Sequence, residues 1–135
     1  VIAVTEDPIA IASLIEGARH PRVGGIVSFT GIVRDDGIEA IEVEAYREVA
    51  EKEITQIRDD AISRFGLFHV TIIHRTGRLM VGETIIAIVV GAGHRREAFE
   101  GCEYIIERIK ERVPLWKREE WTGGSRWVEG EEDPL

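Results

Sequence analysis

Hydrophobic and polar positions along this chain change their period several times. Val1 to Thr5 is a short apolar run and predicts a strand. Asp7 followed by Pro8 has the form of an N-cap and first helical residue, which predicts a helix to about Ala18. Gly24 to Arg34 is rich in β-branched and small residues and predicts a second strand, closed by the turn sequence Asp35-Asp36-Gly37. From Ile38 to Tyr46, Ile41, Val43 and Ala45 alternate with Glu42 and Glu44, the pattern of a half-buried strand. The period then lengthens. Ala50, Ile54, Ile57, Ala61 and Phe65 recur at helical spacing over Arg47 to Phe65, and Gly66 supplies a C-terminal stop. Phe68 to His74 and Thr84 to Val90 read as two more strands, joined by a segment holding Gly77 and Gly82.

A third helix is predicted from about His94 to Val113, with Ala98, Cys102, Ile105, Ile106 and Ile109 as its core stripe and Pro114 ending it. Leu115 to Val128, with its aromatics and Gly123-Gly124, is expected to be irregular or to form short strands. The order β-α-β-β-α-β-β-α, then a tail, predicts an α+β domain with about three helices and a largely antiparallel sheet. No repeat or linker interrupts the pattern, so a single domain is expected over residues 1–135.

Composition narrows the function. The formal net charge of -8 argues against general binding to nucleic acid, whose phosphates need a basic surface. The charge is uneven, however. From His94 to Trp127 there are eight Lys/Arg against seven Asp/Glu, whereas the rest of the chain has nine against eighteen. A locally basic segment in an acidic protein points to a pocket for a small anion. The single cysteine, Cys102, rules out an intrachain disulfide and any cysteine cluster. No stretch approaches a membrane span, and no signal-peptide pattern opens the chain, so a cytoplasmic location is expected. The absence of Asn and scarcity of Gln, Met and Cys, with many Glu, Arg and Ile, suggest a thermophilic source.

Candidate chemistry gathers around the third helix. Gly91-Ala92-Gly93 leads directly into His94-Arg95-Arg96. A helix N-terminus is the positive end of the dipole, so three basic residues there are unfavourable unless an anion offsets them. The competing reading is that these side chains pair with Glu97, Glu100 or other acids. Lys110 falls at the border of the apolar stripe, and periodicity by itself favours a snorkelling side chain. Lys117, in Pro114-Leu115-Trp116-Lys117-Arg118-Glu119, has aromatic and cationic neighbours. Partial desolvation there would lower its pKa and make the amine usable as base or nucleophile, although position alone favours a surface lysine beside a structural tryptophan. Arg34 ends a strand before a turn, where binding groups often sit, and Arg75 and Arg78 lie near another turn; each reads more simply as a solvated arginine. Cys102 on the core stripe reads as an inert hydrophobe. His20 and His74 have no partner at metal-ligand spacing, and no metal site is expected.

Taken together, the blocks resemble one family along nearly the whole chain. They are Gly24-Gly25-Ile26-Val27-Ser28-Phe29-Thr30-Gly31-Ile32-Val33-Arg34, Glu44-Ala45-Tyr46, His74-Arg75-Thr76-Gly77-Arg78-Leu79 with Gly82-Glu83, His94-Arg95-Arg96-Glu97-Ala98-Phe99, Ile109-Lys110, Pro114 to Glu119, and Trp127. The sequence is similar to the large, catalytic subunits of molybdopterin synthase. That resemblance implies an α/β hammerhead-type fold and a sulfurtransferase that converts cyclic pyranopterin monophosphate into molybdopterin. The sulfur would come from a small ubiquitin-like partner carrying a thiocarboxylate on its C-terminal Gly-Gly. The resemblance further implies a homodimer within a heterotetramer, with no cofactor or metal on this subunit, the pterin being the substrate. It assigns catalysis to Lys117 with Lys110 as companion. It assigns substrate binding to His94, Arg95 and Arg34 with the backbone of Ile32 and Val33, and extends the wall through Arg118 and Glu119. A buried lone cysteine fits a protein that imports its sulfur. Gly123-Gly124 is internal, so the chain is not itself the carrier, and the short acidic tail, Glu129 to Leu135, departs from longer relatives. Two other readings remain: a non-catalytic small-anion or nucleotide-binding module of the same fold, and a structural subunit whose basic segment docks a partner's tail.

Overall fold

A computed structural model describes residues 1–128; the acidic tail from Glu129 lies outside the described residues. The strands are β1 (Ile2–Thr5), β2 (Gly25–Ile32), β3 (Ala40–Ala45), β4 (His69–Arg75), β5 (Gly77–Met80), β6 (Thr84–Ala92), β7 (Leu115–Trp121) and β8 (Gly124–Val128). The helices are α1 (Ile11–Gly17), α2 (Arg47–Phe65) and α3 (Arg95–Arg112). The strands form two four-stranded sheets, ordered β1-β4-β6-β2 and β5-β3-β7-β8. Only β1 and β4 pair in parallel among the described strands. This is the expected α+β domain of hammerhead type, with three helices and mostly antiparallel sheets.

The longer helices cover one face of the first sheet. Ala50, Ile54, Ile57 and Ala61 of α2, with Ala98, Cys102, Ile105 and Ile109 of α3, pack in one core with Ile72, Ile86, Ile88 and Val90. Each helix therefore uses one stripe at helical spacing. Gly66 ends α2 in the left-handed conformation, φ 67°, and returns its N–H to the carbonyl of Ile62 at 2.9 Å. A second, smaller core joins the sheets through Val33, Ile41, Val43, Leu79 and Ile85. Leu115 packs against both cores, so the start of β7 is fixed relative to the helices.

The structure departs from the sequence reading at several points. The first helix begins at Ile11, not at Asp7-Pro8. The Asp7 N–H donates to Thr5 Oγ1 at 3.1 Å, which makes Asp7 part of a turn after β1 rather than a cap. The segment between β4 and β6 contains the extra strand β5, which opens on Gly77 (φ 92°) and is followed by a turn at Gly82 (φ 93°). Of the two readings of Leu115 to Val128 the short strands hold: β7 and β8 form a hairpin turning at Gly123 with φ 95°. Ile106 on the third helix is partly buried, and Gly101 joins the buried stripe in its place, against Leu67.

Candidate functional site

Strand β7 carries the centre of the candidate site. Its side chains alternate, so Leu115, Lys117 and Glu119 share one face and Trp116, Arg118 and Glu120 the other. Lys117 stands across from Val43 on β3 and Val128 on β8. Val43 belongs to the small core with Val33, Ile41 and Leu79. Lys117 is consequently only 5% exposed, which overturns the reading of it as a surface lysine. A lysine in such a position is costly unless its amine has partners, and the structure gives it an interaction. Burial of this kind is where amines acquire unusual reactivity.

Period-two alternation also separates residues that adjoin in sequence. Arg118 leaves the opposite face from Lys117. Its guanidinium lies 5.6 Å from the ring centre of Trp127 and 4.0 Å from the carboxylate of Glu120, which also binds Arg78 at 3.1 Å. Glu119 shares the face of Lys117, but its carboxylate accepts from Arg126 at 2.8 Å. Arg118 therefore does not continue one wall with Lys117, whereas Glu119 lies on the same face, held by Arg126. On the Arg118 side, Glu44, Ala45, Tyr46, Trp116 and Trp127 line a cavity of about 360 Å³, with the Tyr46 and Trp116 rings edge to face at 5.8 Å. Sequence reasoning missed this cavity. Its signal was the register that sets Glu44 against Trp116, which only strand pairing reveals.

Val33 reaches the Lys117 side of the fold through the small core. Both of its backbone groups are engaged within the chain: its N–H donates to Glu83 O and its carbonyl accepts from Gly82 N–H, each at 2.9 Å. Ile32 is exposed at the end of β2. Arg34 follows in irregular backbone, exposed and paired with Asp36 at 3.1 Å. Arg75, by contrast, is not the solvated arginine expected; it is buried and binds Glu83 and the Glu6 carbonyl. Arg78 does lie at the surface.

The start of α3 forms a second cationic place. His94 occupies the N-cap position with no side-chain cap, and His94 and Arg95 are exposed with no ion pair among the described residues. Arg96 behaves as the plainer reading expects, binding Glu100 one turn on at 3.0 Å, and that pair raises its pKa. The open end of the helix is packed closely on β2. A Cβ on Gly24 would stand 2.3 Å from Gly93 O, and one on Gly25 would stand 3.4 Å from the Arg95 Cα. At Gly24 only glycine allows that approach, whereas a Cβ at Gly25 would make an ordinary contact.

These two places are far apart in one chain. Lys110 is exposed near the other end of α3, sixteen residues from His94 and so about 24 Å away along the axis. Arg34 lies nine residues from Gly25, about 30 Å along an extended strand. A single chain does not bring Arg34 together with His94 and Arg95 around one phosphate. Cys102 lies in the core, and desolvation pushes its thiol up to about 11, so it carries no thiolate near neutrality. His74 is buried with Nδ1 at 2.8 Å from Arg75 O, and His20 stacks on Phe68. No group of three metal-binding side chains converges among the described residues, and no described helix is long and apolar enough to cross a membrane.

Comparison with known proteins agrees with the fold. The family model described as MoaE protein matches residues 4–112. A molybdopterin synthase catalytic subunit from Pyrococcus abyssi is 49% identical over 130 residues, covering 93% of this chain and 84% of the relative. A crystal structure of molybdopterin synthase from Staphylococcus aureus superposes with a TM-score of 0.88 at 38% identity, covering 94% of this chain and 96% of the other. At 22% identity, a protein–protein complex of subunits 1 and 2 of molybdopterin-converting factor from Helicobacter pylori shows the same fold, with a TM-score of 0.82 over 99% and 94% of the two chains. On this evidence the chain belongs to the MoaE family of molybdopterin synthase catalytic subunits.

Proposed function

We propose that this protein is the sulfurtransferase that converts cyclic pyranopterin monophosphate into molybdopterin, working in the cytoplasm. The sulfur donor is a small ubiquitin-like partner with a C-terminal thiocarboxylate. Each transfer moves sulfur from that terminus to a side-chain carbon of the pterin and, with water, leaves the partner as a carboxylate. One dithiolene product therefore consumes two donors. The observation that carries the reading is the burial of Lys117 on the apolar face of β7, in a chain whose only thiol is buried and held protonated. An imported sulfur and a desolvated amine are complementary requirements. Lys117 acts as general acid/base or as transient nucleophile during sulfur attack and opening of the cyclic phosphate. Lys110 assists from the end of α3. Arg34, His94 and Arg95, with the Ile32–Val33 segment, position a polyanionic substrate.

The separation of the two cationic places gives the oligomer a function in this reading. The outer edge of β2 has no strand beside it among the described residues. Two copies laid antiparallel along β2 bring the Gly25 end of one, with His94 and Arg95, toward the Arg34 end of the other. A homodimer of this kind completes each site, and with two small partners it makes a heterotetramer. The Helicobacter pylori complex of two subunits supports a two-protein assembly of this fold.

The test is product stoichiometry. This protein, cyclic pyranopterin monophosphate and excess thiocarboxylated partner are expected to yield dithiolene, with two partner termini converted to carboxylate per product. Tight binding of the pterin with no sulfur transferred from any donor would instead establish the non-catalytic anion-binding module.

A further inference from the structure

Two of the motif residues, Arg75 and Glu83, have no task in the reading above. Arg75 closes β4 and is 8% exposed, unusual for an arginine. Its Nη1 donates to Glu83 Oε1 at 3.1 Å, and its Nη2 donates to the carbonyl of Glu6 at 2.9 Å. The second carboxylate oxygen of Glu83 accepts the N–H of Met80 at 2.7 Å. The turn from Met80 to Glu83 is closed again by the Glu83 N–H to Met80 O bond at 3.0 Å, and Gly82 takes the positive φ it requires. One ion pair thus holds the end of β4, the segment after β1 and the turn between β5 and β6.

The same turn grips the backbone that leads to Arg34. Glu83 O accepts the Val33 N–H, and Gly82 N–H donates to Val33 O. Beyond Ile32 the chain has left β2, so these two bonds stand in for the missing ladder. The Arg34 side chain itself is held only by the exposed pair with Asp36, and such pairs fix geometry weakly. A guanidinium that binds phosphate in bidentate fashion needs a backbone that does not wander.

We propose that Arg75 and Glu83 are positioning residues for Arg34, acting through the Met80–Glu83 turn and both backbone groups of Val33. This rests on Arg34 being a substrate ligand. It predicts that loss of the pair weakens substrate binding while leaving the chemical step intact.

A double-mutant cycle tests it, with cyclic pyranopterin monophosphate varied and thiocarboxylated partner saturating. Glu83→Gln keeps an acceptor for Met80 but loses the charge facing Arg75. It is expected to raise KM about 10-fold with kcat within about 2-fold of wild type. Arg34→Ala raises KM as well, and the double variant is no worse than Arg34→Ala alone. Arg75→Lys keeps the charge and falls between wild type and Glu83→Gln, which guards against misfolding as the cause. A wild-type KM in Glu83→Gln, or penalties that add fully in the double variant, would overturn the positioning role while leaving Arg34 as a ligand. A wild-type KM in Arg34→Ala would remove both.

Discussion

Lys117 is the residue on which the account turns, and its position was only half legible in the sequence. The run Leu115-Trp116-Lys117-Arg118-Glu119 is so polar that no period stands out, and a lysine there reads as surface. Pairing with β3 and β8 decides the matter, because it sets Lys117 on the face of Val43 and Val128. Burial of this lysine is thus a tertiary fact. Cys102 was legible, since a cysteine at core spacing on a helix has nowhere polar to go. Cys102→Ala is expected to keep full turnover and to lose about 1–2 kcal/mol of stability, measured by urea denaturation. The thiol is also linked to pH. Its folded value, about 11, is raised by burial above the ordinary 9.0, so its stabilising contribution is complete below about pH 9 and is lost as pH rises toward 11. Wild type should therefore lose stability between pH 9 and 11 more steeply than Cys102→Ala; parallel denaturation profiles would contradict the burial.

At the scale of elements, the helices were the most readable parts. Spacing of Ala50, Ile54, Ile57 and Ala61, with Gly66 behind them, gave α2 its observed limits. The first helix was misplaced because Asp7-Pro8 has the composition of a helix start while the Thr5 hydroxyl takes the Asp7 N–H. Strand β5 was hidden because four residues, the first of them Gly77, carry too little period to detect. The contact between β2 and the start of α3 could not be read at all, since it is a backbone approach. It makes a sharp prediction. Gly24→Ala places a Cβ against the Gly93 carbonyl and should cost at least about 2 kcal/mol, with His94 and Arg95 displaced. A Tm within a degree of wild type would contradict that packing. Glu83 offers a milder test. The Met80 N–H and the Arg75 guanidinium hold its carboxyl below the ordinary 4.5. The stability it contributes is present above that value and is lost as pH falls through the lower folded one. Acid denaturation of Glu83→Gln should lack that component.

Across the whole molecule, the sequence offered candidate residues but not their distances. Helix rise alone separates His94 from Lys110, and strand rise separates Gly25 from Arg34. Residues that a motif list gathers into one site therefore lie at two ends of the fold. Their union across two copies leads to a complementation experiment. Assayed well below the raised KM, Arg34→Ala and the double variant His94→Ala with Arg95→Ala should each show only a small fraction of wild-type activity. Unfolded together and refolded in equal amounts, they should recover about a quarter of wild-type activity, because half the dimers are mixed and each mixed dimer has one intact site. No recovery from mixtures shown to contain mixed dimers would mean that each chain works alone.

Single-turnover sulfur transfer by Lys117 variants decides whether the buried amine carries the chemistry. With cyclic pyranopterin monophosphate and thiocarboxylated partner in one reaction, Lys117→Ala and Lys117→Arg should both remain folded, bind the partner and form no dithiolene. Arginine keeps the charge but cannot give up its proton, so its failure would assign the chemistry to a titrating amine. Wild-type rates in Lys117→Ala, or full rescue by Lys117→Arg, would show that the buried lysine is structural and that the reaction is carried elsewhere.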